Sequence, residues 1–465
     1  LILSEYVKTA KSYILYREKR AHLREKGFHV PEEVRSLVEK SKSYFRDSLG
    51  EFVYYRTYSR WIPEKGRRET WIESVDRYMD FMKENLGKKL KAPEYQELRE
   101  AILKQEIMPS MRLLQFAGPA ASKTNICAYN CSYIAPASIQ DFAEIMYLSM
   151  CGTGVGWSAE SQNIQKLPQV KQQSGVKLPV HAIGDSKEGW CDALALGMRA
   201  WFKGEDIEFD YSLLRPAGAR LKTMGGKSAG PAPLRSILDF TREKILSRQG
   251  KRLRNIDAHD IICKIGEGVV SGGVRRSAMI SLSDFDDEEV RDAKKGQFYL
   301  TEPQRSLANN SAVYVMKPSN LEFMDEWIAL MKSGSGERGI FNRGSLAKTL
   351  PARRLEVFRA HGYFDRSGEH VVGPVGTNPC GEIILQSKQF CKLSEVVARA
   401  EDTEATLLRK VRLATILGTY QATLTHFPYL SKEWKKNCEE ERLLGVSITG
   451  QWDSKVVRNA KVLEK

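Results

Sequence analysis

Residues 376–383 read Gly376-Thr-Asn-Pro-Cys-Gly-Glu-Ile383. Pro379 and Gly381 flank Cys380, and both residue types punctuate turns. The cysteine is therefore expected on a tight, exposed loop tip and not inside a helix. Glu382 comes where a short β-prone run, Ile383 to Leu385, begins, and Asn378 lies two positions before the thiol. An amide, a thiol and a carboxylate offered at one turn suit thiol chemistry assisted by a general acid or base. The same stretch also reads as a polar β-turn with an incidental cysteine.

Working outward, further β-prone runs are Ala278 to Leu282, Ala312 to Met316 and Leu444 to Ile448. Amphipathic helices are predicted between them. One starts at Ser138, with Asp141 in capping-box position and Phe142, Ile145 and Met146 on one face. The run Gly152-Thr-Gly-Val-Gly156 is expected to end it in a turn, and 165–190 reads as a loop excursion. Others cover Leu234 to Leu246, the segment of Ile261, Ile262, Ile265 and Val269 that breaks at Ser271-Gly-Gly273, and 403–418. Helices alternating with strands argue an α/β architecture. No internal repeat is found.

The 465 residues carry 72 Lys+Arg against 58 Asp+Glu, a net charge of +14, with 42% hydrophobic and 28% charged residues. This excludes a low-complexity or wholly disordered chain. No apolar run reaches the roughly 20 residues of a membrane span, and a cytoplasmic protein is expected. The basic surplus is spread along the chain, which suits a pocket for polyanionic small molecules as well as non-specific nucleic-acid attraction. Among residues 41–81, Tyr44, Phe45, Phe52, Tyr54, Tyr55, Tyr58, Trp61, Trp71 and Tyr78 alternate with basic residues. Such interleaving can stack bases, but the favoured reading is an aromatic core with a solvated basic face. The eight cysteines are Cys127, Cys131, Cys151, Cys191, Cys263, Cys380, Cys391 and Cys438. A chain this long needs no disulfide framework, and neither CxxC nor HxxxH pairs appear, so no metal site is expected.

NPCGE followed eleven residues later by Cys391 resembles the adenosylcobalamin-dependent (class II) ribonucleotide reductases, most closely the monomeric ribonucleoside-triphosphate reductases. Further segments follow in the family's order: Tyr129-Asn-Cys-Ser-Tyr-Ile134, Gly152-Thr-Gly-Val-Gly-Trp-Ser158, Glu188-Gly-Trp190 and Leu214-Arg-Pro-Ala-Gly-Ala219. Next come Gly225-Gly-Lys-Ser-Ala-Gly-Pro231, Gly272-Gly-Val-Arg-Arg-Ser277, Ala308-Asn-Asn-Ser311 and Leu444-Gly-Val-Ser-Ile-Thr-Gly450. The resemblance covers roughly 41–455.

The resemblance implies a ten-stranded α/β barrel of the ribonucleotide reductase/glycyl-radical type, incomplete at its C-terminus, with a helical N-terminal segment. Residues 1–40 would be a remnant of an ATP-cone-like regulatory domain and linker helix, and 41–120 the N-terminal helical part. Residues 121–465 would be a partial barrel with its finger loop at 376–383. Cys380 would carry a thiyl radical, Glu382 would be the base toward the 3′-hydroxyl, and Asn378 would hydrogen-bond substrate. Cys131 and Cys391 would supply two electrons and end as a disulfide. Cys127 is a rival for the first of these, but the family places Asn directly before that cysteine, as Asn130 stands before Cys131. Ser110, in Met108-Pro-Ser-Met111, and Gly381 would contact substrate; Ser110 reads equally as a turn serine. Gly272, Gly273, Arg275 and Arg276 would form the loop that relays effector identity, the bland alternative being a basic surface turn. The remaining cysteines are expected to be buried thiols.

By the same resemblance the cofactor is adenosylcobalamin, the substrate a ribonucleotide, and the effectors dNTPs or ATP. Thioredoxin or glutaredoxin is the reductant, the protein is a monomer or homodimer, and no membrane or specific nucleic acid is involved. The chain starts at Leu1, not Met. It stops at Lys465 without the family's Pro-Ser-Gly-Thr turn or its C-terminal cysteine pair. An internal fragment with little turnover alone is the expectation. Two alternatives stand beside this one: a class I large subunit taking its radical from a separate subunit, and a nucleic-acid-binding module.

Overall fold

The structure, a computed structural model, describes residues 31–219, 227–271 and 278–465. The loop of Gly272, Gly273, Arg275 and Arg276 lies outside the described residues, as do residues 1–30 of the expected regulatory remnant. The chain divides into two compact units at Asp76/Arg77. In the first, Phe45, Tyr54 and Trp71 form a ring cluster with centroids 5.5–5.9 Å apart. Tyr54 and Trp71 are buried. Part of the aromatic–basic segment thus builds a core here, while Phe52 and Trp61 are exposed. The Arg67 fork grips Glu73 with two bonds of 2.7 Å, which holds that carboxyl down at about 2 against the opposing effect of burial.

The second unit is α/β. Its strands are β1 (Ile107–Met108), β2 (Cys131–Ile134), β3 (Gly154–Ser158), β4 (Met279–Asp284), β5 (Ala308–Tyr314) and β6 (Gly339–Asn342). They continue as β7 (Val375–Thr377), β8 (Ile384–Gln386), β9 (Gln389–Phe390), β10 (Leu393–Val397) and β11 (Gly445–Thr449). The main sheet has the order β6-β5-β4-β3-β2-β9. Strands β2 to β6 are mutually parallel and β9 runs antiparallel to β2. Parallel neighbours need crossovers. Helix α1 (Ile139–Met150) joins β2 to β3. Helices α2 (Lys187–Phe202), α3 (Ala232–Leu246) and α4 (Asn255–Ser271) lie between β3 and β4, and α5 (Asn320–Ser333) lies between β5 and β6. Every residue of β2 and β3 is buried, as expected for strands covered on both faces.

A second sheet has the order β11-β10-β1. Helix α7 (Glu404–Gln421) and helix α8 (Lys432–Glu441) lie between β10 and β11, and α6 (Ala352–Ala360) lies between β6 and β7. Only Cys391 and Lys392 separate β9 in the first sheet from β10 in the second. The expected α/β class is present. The described strands make these two sheets, the β7–β8 hairpin and two further two-stranded pairs.

Three local expectations are corrected. The turn expected over Gly152–Gly156 is confined to its start, where Gly152 has φ 77°; Gly154-Val-Gly-Trp-Ser158 is the central strand β3, and Gly156 is required there because a side chain would collide with the carbonyl of Thr377. The family-like Ala308-Asn-Asn-Ser311 opens β5, which starts four residues before the run expected there. The excursion 165–190 is not loop throughout: it includes the short strand His181–Ala182 and the first turn of α2. The helix after Ser138 begins as expected, with the Asp141 carboxylate accepting the Ser138 N–H at 2.8 Å.

Candidate active site

The hairpin β7–β8 pairs Val375 with Gln386, Gly376 with Leu385 and Thr377 with Ile384. Its tip is residues 378–383. It lies hard against the main sheet: a Cβ on Gly376 would strike the Tyr133 ring and the Leu282 side chain. Glycines at 156 and 376 are what allow two backbones this close. Inside the tip the Asn378 side chain does the tying. Its Oδ1 accepts the Ile383 N–H at 3.0 Å, and its amide donates to Glu382 at 2.8 Å. The Gly381 N–H donates to the Asn378 carbonyl at 2.9 Å. Gly381 has φ 84°, a left-handed conformation that suits glycine. Asn378 is wholly buried, whereas Cys380, Gly381 and Glu382 are exposed.

Pairing of β9 with β2 sets Gln389 opposite Tyr133 and Phe390 opposite Ser132. The next step in that register places Cys391 opposite Cys131, and the Cys391 N–H donates to the Cys131 carbonyl at 2.9 Å. The Cys131 thiol lies close enough to Cys380 and Cys391 for its electrostatics to be set by both. Three thiols from three chain segments thus meet, with the exposed one at the loop tip and two buried ones behind it. The hydrogen bond to Cys131 and then burial push the Cys380 thiol well above its ordinary value. At Cys131 the bond to Cys380 pulls the thiol down, but the bond to Cys391, burial and the nearby Glu382 outweigh it, and the net shift is upward. Cys380 and Cys131 are therefore neutral S–H groups at physiological pH, suited to moving hydrogen and not to acting as free thiolates.

Cys127 is elsewhere: its thiol donates to the Thr124 carbonyl at 3.2 Å. Cys151, Cys191, Cys263 and Cys438 are buried. Ser110 is buried beside the site, its hydroxyl 3.1 Å from Asn130 Oδ1 and 3.3 Å from the Ala128 carbonyl. It occupies the position before the helix Met111–Phe116 without capping it. Among the described residues no cluster of His, Cys, Asp or Glu could hold a metal ion. No described helix is long and apolar enough to cross a membrane.

Several residues near the site gave no sequence signal. Arg343 and Glu160 form a buried fork with two bonds of 2.7 Å, and Arg354 pairs with the buried Glu441 at 2.6 Å. Lys392, next to Cys391, is 2% exposed and its amine has no hydrogen-bond partner. Charged residues are ordinarily read as surface, and the members of each pair lie far apart in sequence, so neither pattern nor spacing flags them.

Residues 32–112 match the ribonucleotide reductase alpha domain family. The adenosylcobalamin-dependent ribonucleoside-triphosphate reductase of Lactobacillus delbrueckii subsp. bulgaricus is 29% identical over 92% of this chain and 64% of its own length. The reductases of the same name from Lacticaseibacillus paracasei and Euglena gracilis are 30% and 28% identical, over 87% and 90% of this chain and 61% and 58% of their own. The chain thus spans less than two thirds of the length of these relatives. A crystal structure of a B12-dependent (class II) ribonucleotide reductase superposes with a TM-score of 0.72 at 25% identity, covering 90% of this chain and 65% of that one. Along nine-tenths of its length, in sequence and in fold, the chain is similar to the adenosylcobalamin-dependent, class II ribonucleotide reductases.

Proposed function

We propose that this chain forms the thiol site of a class II ribonucleotide reductase, converting ribonucleotides, as triphosphates, to 2′-deoxyribonucleotides. The observation that carries the reading is the meeting of Cys380, Cys131 and Cys391, one exposed and two buried, with the Cys131 thiol in electrostatic reach of both others. Removing a ribose 2′-hydroxyl has no easy polar route, whereas a thiol that has first given up its own hydrogen atom can take one from the adjacent carbon and later return it.

In this reading Cys380, having given up its own hydrogen atom, takes the 3′-hydrogen of the sugar and returns it at the end; Glu382 receives the 3′-hydroxyl proton, the 2′-hydroxyl leaves as water, and Asn378 holds Glu382 and the turn in place. Cys131 and Cys391 each lose one hydrogen and become joined as a disulfide, which delivers the two electrons the reduction needs. Ser110, through Asn130, and the backbone at Gly381 border the sugar. The residues fit an adenosylcobalamin partner: Cys380 is exposed, and a Cβ on Gly381 would meet nothing within 4 Å, so the outer face of the loop is open. When bound, that group supplies the unpaired electron through homolysis of its cobalt–carbon bond.

The sheet β2–β6 followed by β10 and β11 supports a ten-stranded barrel in the complete fold, with residues 376–383 as its finger loop. We assign 41–120 to the N-terminal helical part, 1–40 to a regulatory remnant, and 272–276 to effector relay by dNTPs or ATP. A thioredoxin- or glutaredoxin-type dithiol would re-reduce the pair in the cytoplasm. The names of the relatives favour this reading over the class I alternative.

The test uses pre-reduced protein, extended to the full length of its relatives, given a ribonucleoside triphosphate and adenosylcobalamin. Deoxynucleotide should form in a single round and stop with Cys131 and Cys391 bridged, until a dithiol is added. Cys380→Ser should form none while still binding nucleotide. Product formation by Cys380→Ser, or formation indifferent to adenosylcobalamin, would overturn the assignment.

A further inference from the structure

The two strands of the β7–β8 hairpin are each held by an arginine. Arg343 Nε donates to the Val375 carbonyl at 2.9 Å, at the foot of β7. Its two terminal nitrogens donate to the two oxygens of Glu160 at 2.7 Å each. Arg354 donates to the Ile384 carbonyl at 2.9 Å, at the start of β8. Its Nε and second terminal nitrogen reach the two oxygens of Glu441 at 2.6 and 3.2 Å. All four side chains are buried.

The far ends of the two pairs are not arbitrary. Glu160 lies two residues beyond β3 and accepts the Ser158 hydroxyl at 2.7 Å; β3 is the neighbour of β2, which carries Cys131. Glu441 also accepts the side-chain amides of Gln386 and Gln389, at 3.2 and 2.8 Å. Gln389 is on β9, two residues before Cys391. One pair therefore refers the hairpin to the strand beside Cys131, and the other refers it to the strand leading to Cys391. Burying four charges is costly unless each fork is filled; here both forks are two-pronged and each arginine spends a further N–H on the hairpin backbone. That geometry fixes direction as well as distance.

We infer that Arg343–Glu160 and Arg354–Glu441 are a pair of positioning clamps that set where Cys380 stands relative to its two partner thiols. The two arginines bond to carboxylates and to hairpin carbonyls, not to the three thiols, so the clamps act through the hairpin backbone. The inference rests on reading Cys380 as the reacting thiol, but its test needs neither nucleotide nor cofactor.

Brief oxidation with diamide, whose azo bond takes up the two thiol hydrogens as a disulfide forms, is followed by peptide mapping of the bridges. In the wild-type chain Cys131 should be found bridged to Cys391 and also to Cys380. Arg343→Lys and Arg354→Lys keep the charge and lose the fork. Each should lower the Cys131–Cys380 share roughly tenfold, the scale on which small misplacements act, and leave Cys131–Cys391, set by sheet register, unchanged. Leu238→Ala, in the buried face of α3, is the control for general loss of stability and should leave the partition as in wild type. If a lysine variant fails to fold, Glu160→Gln, which keeps shape and acceptor but loses charge, takes its place. An unchanged partition in the clamp variants, or an equal shift in Leu238→Ala, overturns the inference. A shifted partition in a protein that forms no deoxynucleotide would sink the proposed function and leave the clamps standing.

Discussion

The Cys391 N–H donates to the Cys131 carbonyl at 2.9 Å, so the two cysteines face each other across one rung of the β9–β2 ladder. Directly opposed residues in an antiparallel pair have Cα atoms about 4.5–5.5 Å apart, within the span a disulfide bridges. Mild oxidation should join Cys131 to Cys391 without moving either strand. Mass mapping of tryptic peptides checks it. Cys391→Ser should remove that bridge, and Cys127→Ala should leave it intact.

The Cys380 thiol owes its raised pKa first to the hydrogen bond with Cys131. Removing that partner should return it toward the ordinary value near 8.5. Alkylation of Cys380 by iodoacetamide at about pH 8 is therefore slow in the wild type and faster by an order of magnitude or more in Cys131→Ala, because the thiolate is the nucleophile. The pH–rate profile should move to lower pH. An unmoved profile would place the control of this thiol elsewhere.

Gly156 and Gly376 are the points where the hairpin and the sheet come closest. Gly156→Ala puts a methyl group into the Thr377 carbonyl. Overpacking of this kind costs about 1–3 kcal/mol, and relief comes from lifting the hairpin that bears Cys380. Urea unfolding should report the loss of stability, and Cys380–Cys131 bridging should fall in parallel. Gly175→Ala, where nothing lies within 4 Å but φ is +77°, should cost stability through backbone strain and leave bridging untouched.

Lys392 is a buried cation next to Cys391. Burial pushes its ammonium down to about 8, with Cys438 and Cys391 pulling upward and Arg442 adding to the fall. The Tyr129 ring centroid is 5.9 Å from its nitrogen. The unfolded chain holds this proton up to about pH 10.4. Between about pH 8 and 10 the unfolded state binds more protons than the folded one, so this residue makes stability rise with pH across that window. Below about pH 8 both states are charged and the full cost is present. Lys392→Met should therefore stabilise the chain at about pH 7 by on the order of 3 kcal/mol. The gain should shrink as pH approaches 10. Thermal melts at the two pH values decide it.

Local chemistry was readable wherever one short segment carries the whole cause. Pro379 and Gly381 force a turn, so an exposed Cys380 followed from the residues alone, and the tip geometry of Asn378, Glu382 and Ile383 agrees with it. The helix after Ser138 followed from its cap and apolar face, and the helices α3, α4 and α7 from apolar spacing. The glycines of β3 misled because glycine ordinarily marks turns; here it is the closeness of another backbone that requires it, and that backbone is more than 200 residues away.

The sequence by itself determined which residues have the chemistry: a thiol, an amide and a carboxylate at one turn, two further cysteines at family-like spacing, and an α/β alternation to carry them. Only the tertiary structure decided that Cys131, and not Cys127, meets both Cys380 and Cys391. It alone brought Glu160 to Arg343 and Glu441 to Arg354 under the hairpin. The physical reason is range. Turn and helix preferences are set within a few residues, whereas a strand register or a buried ion pair exists only once distant segments share one desolvated interior.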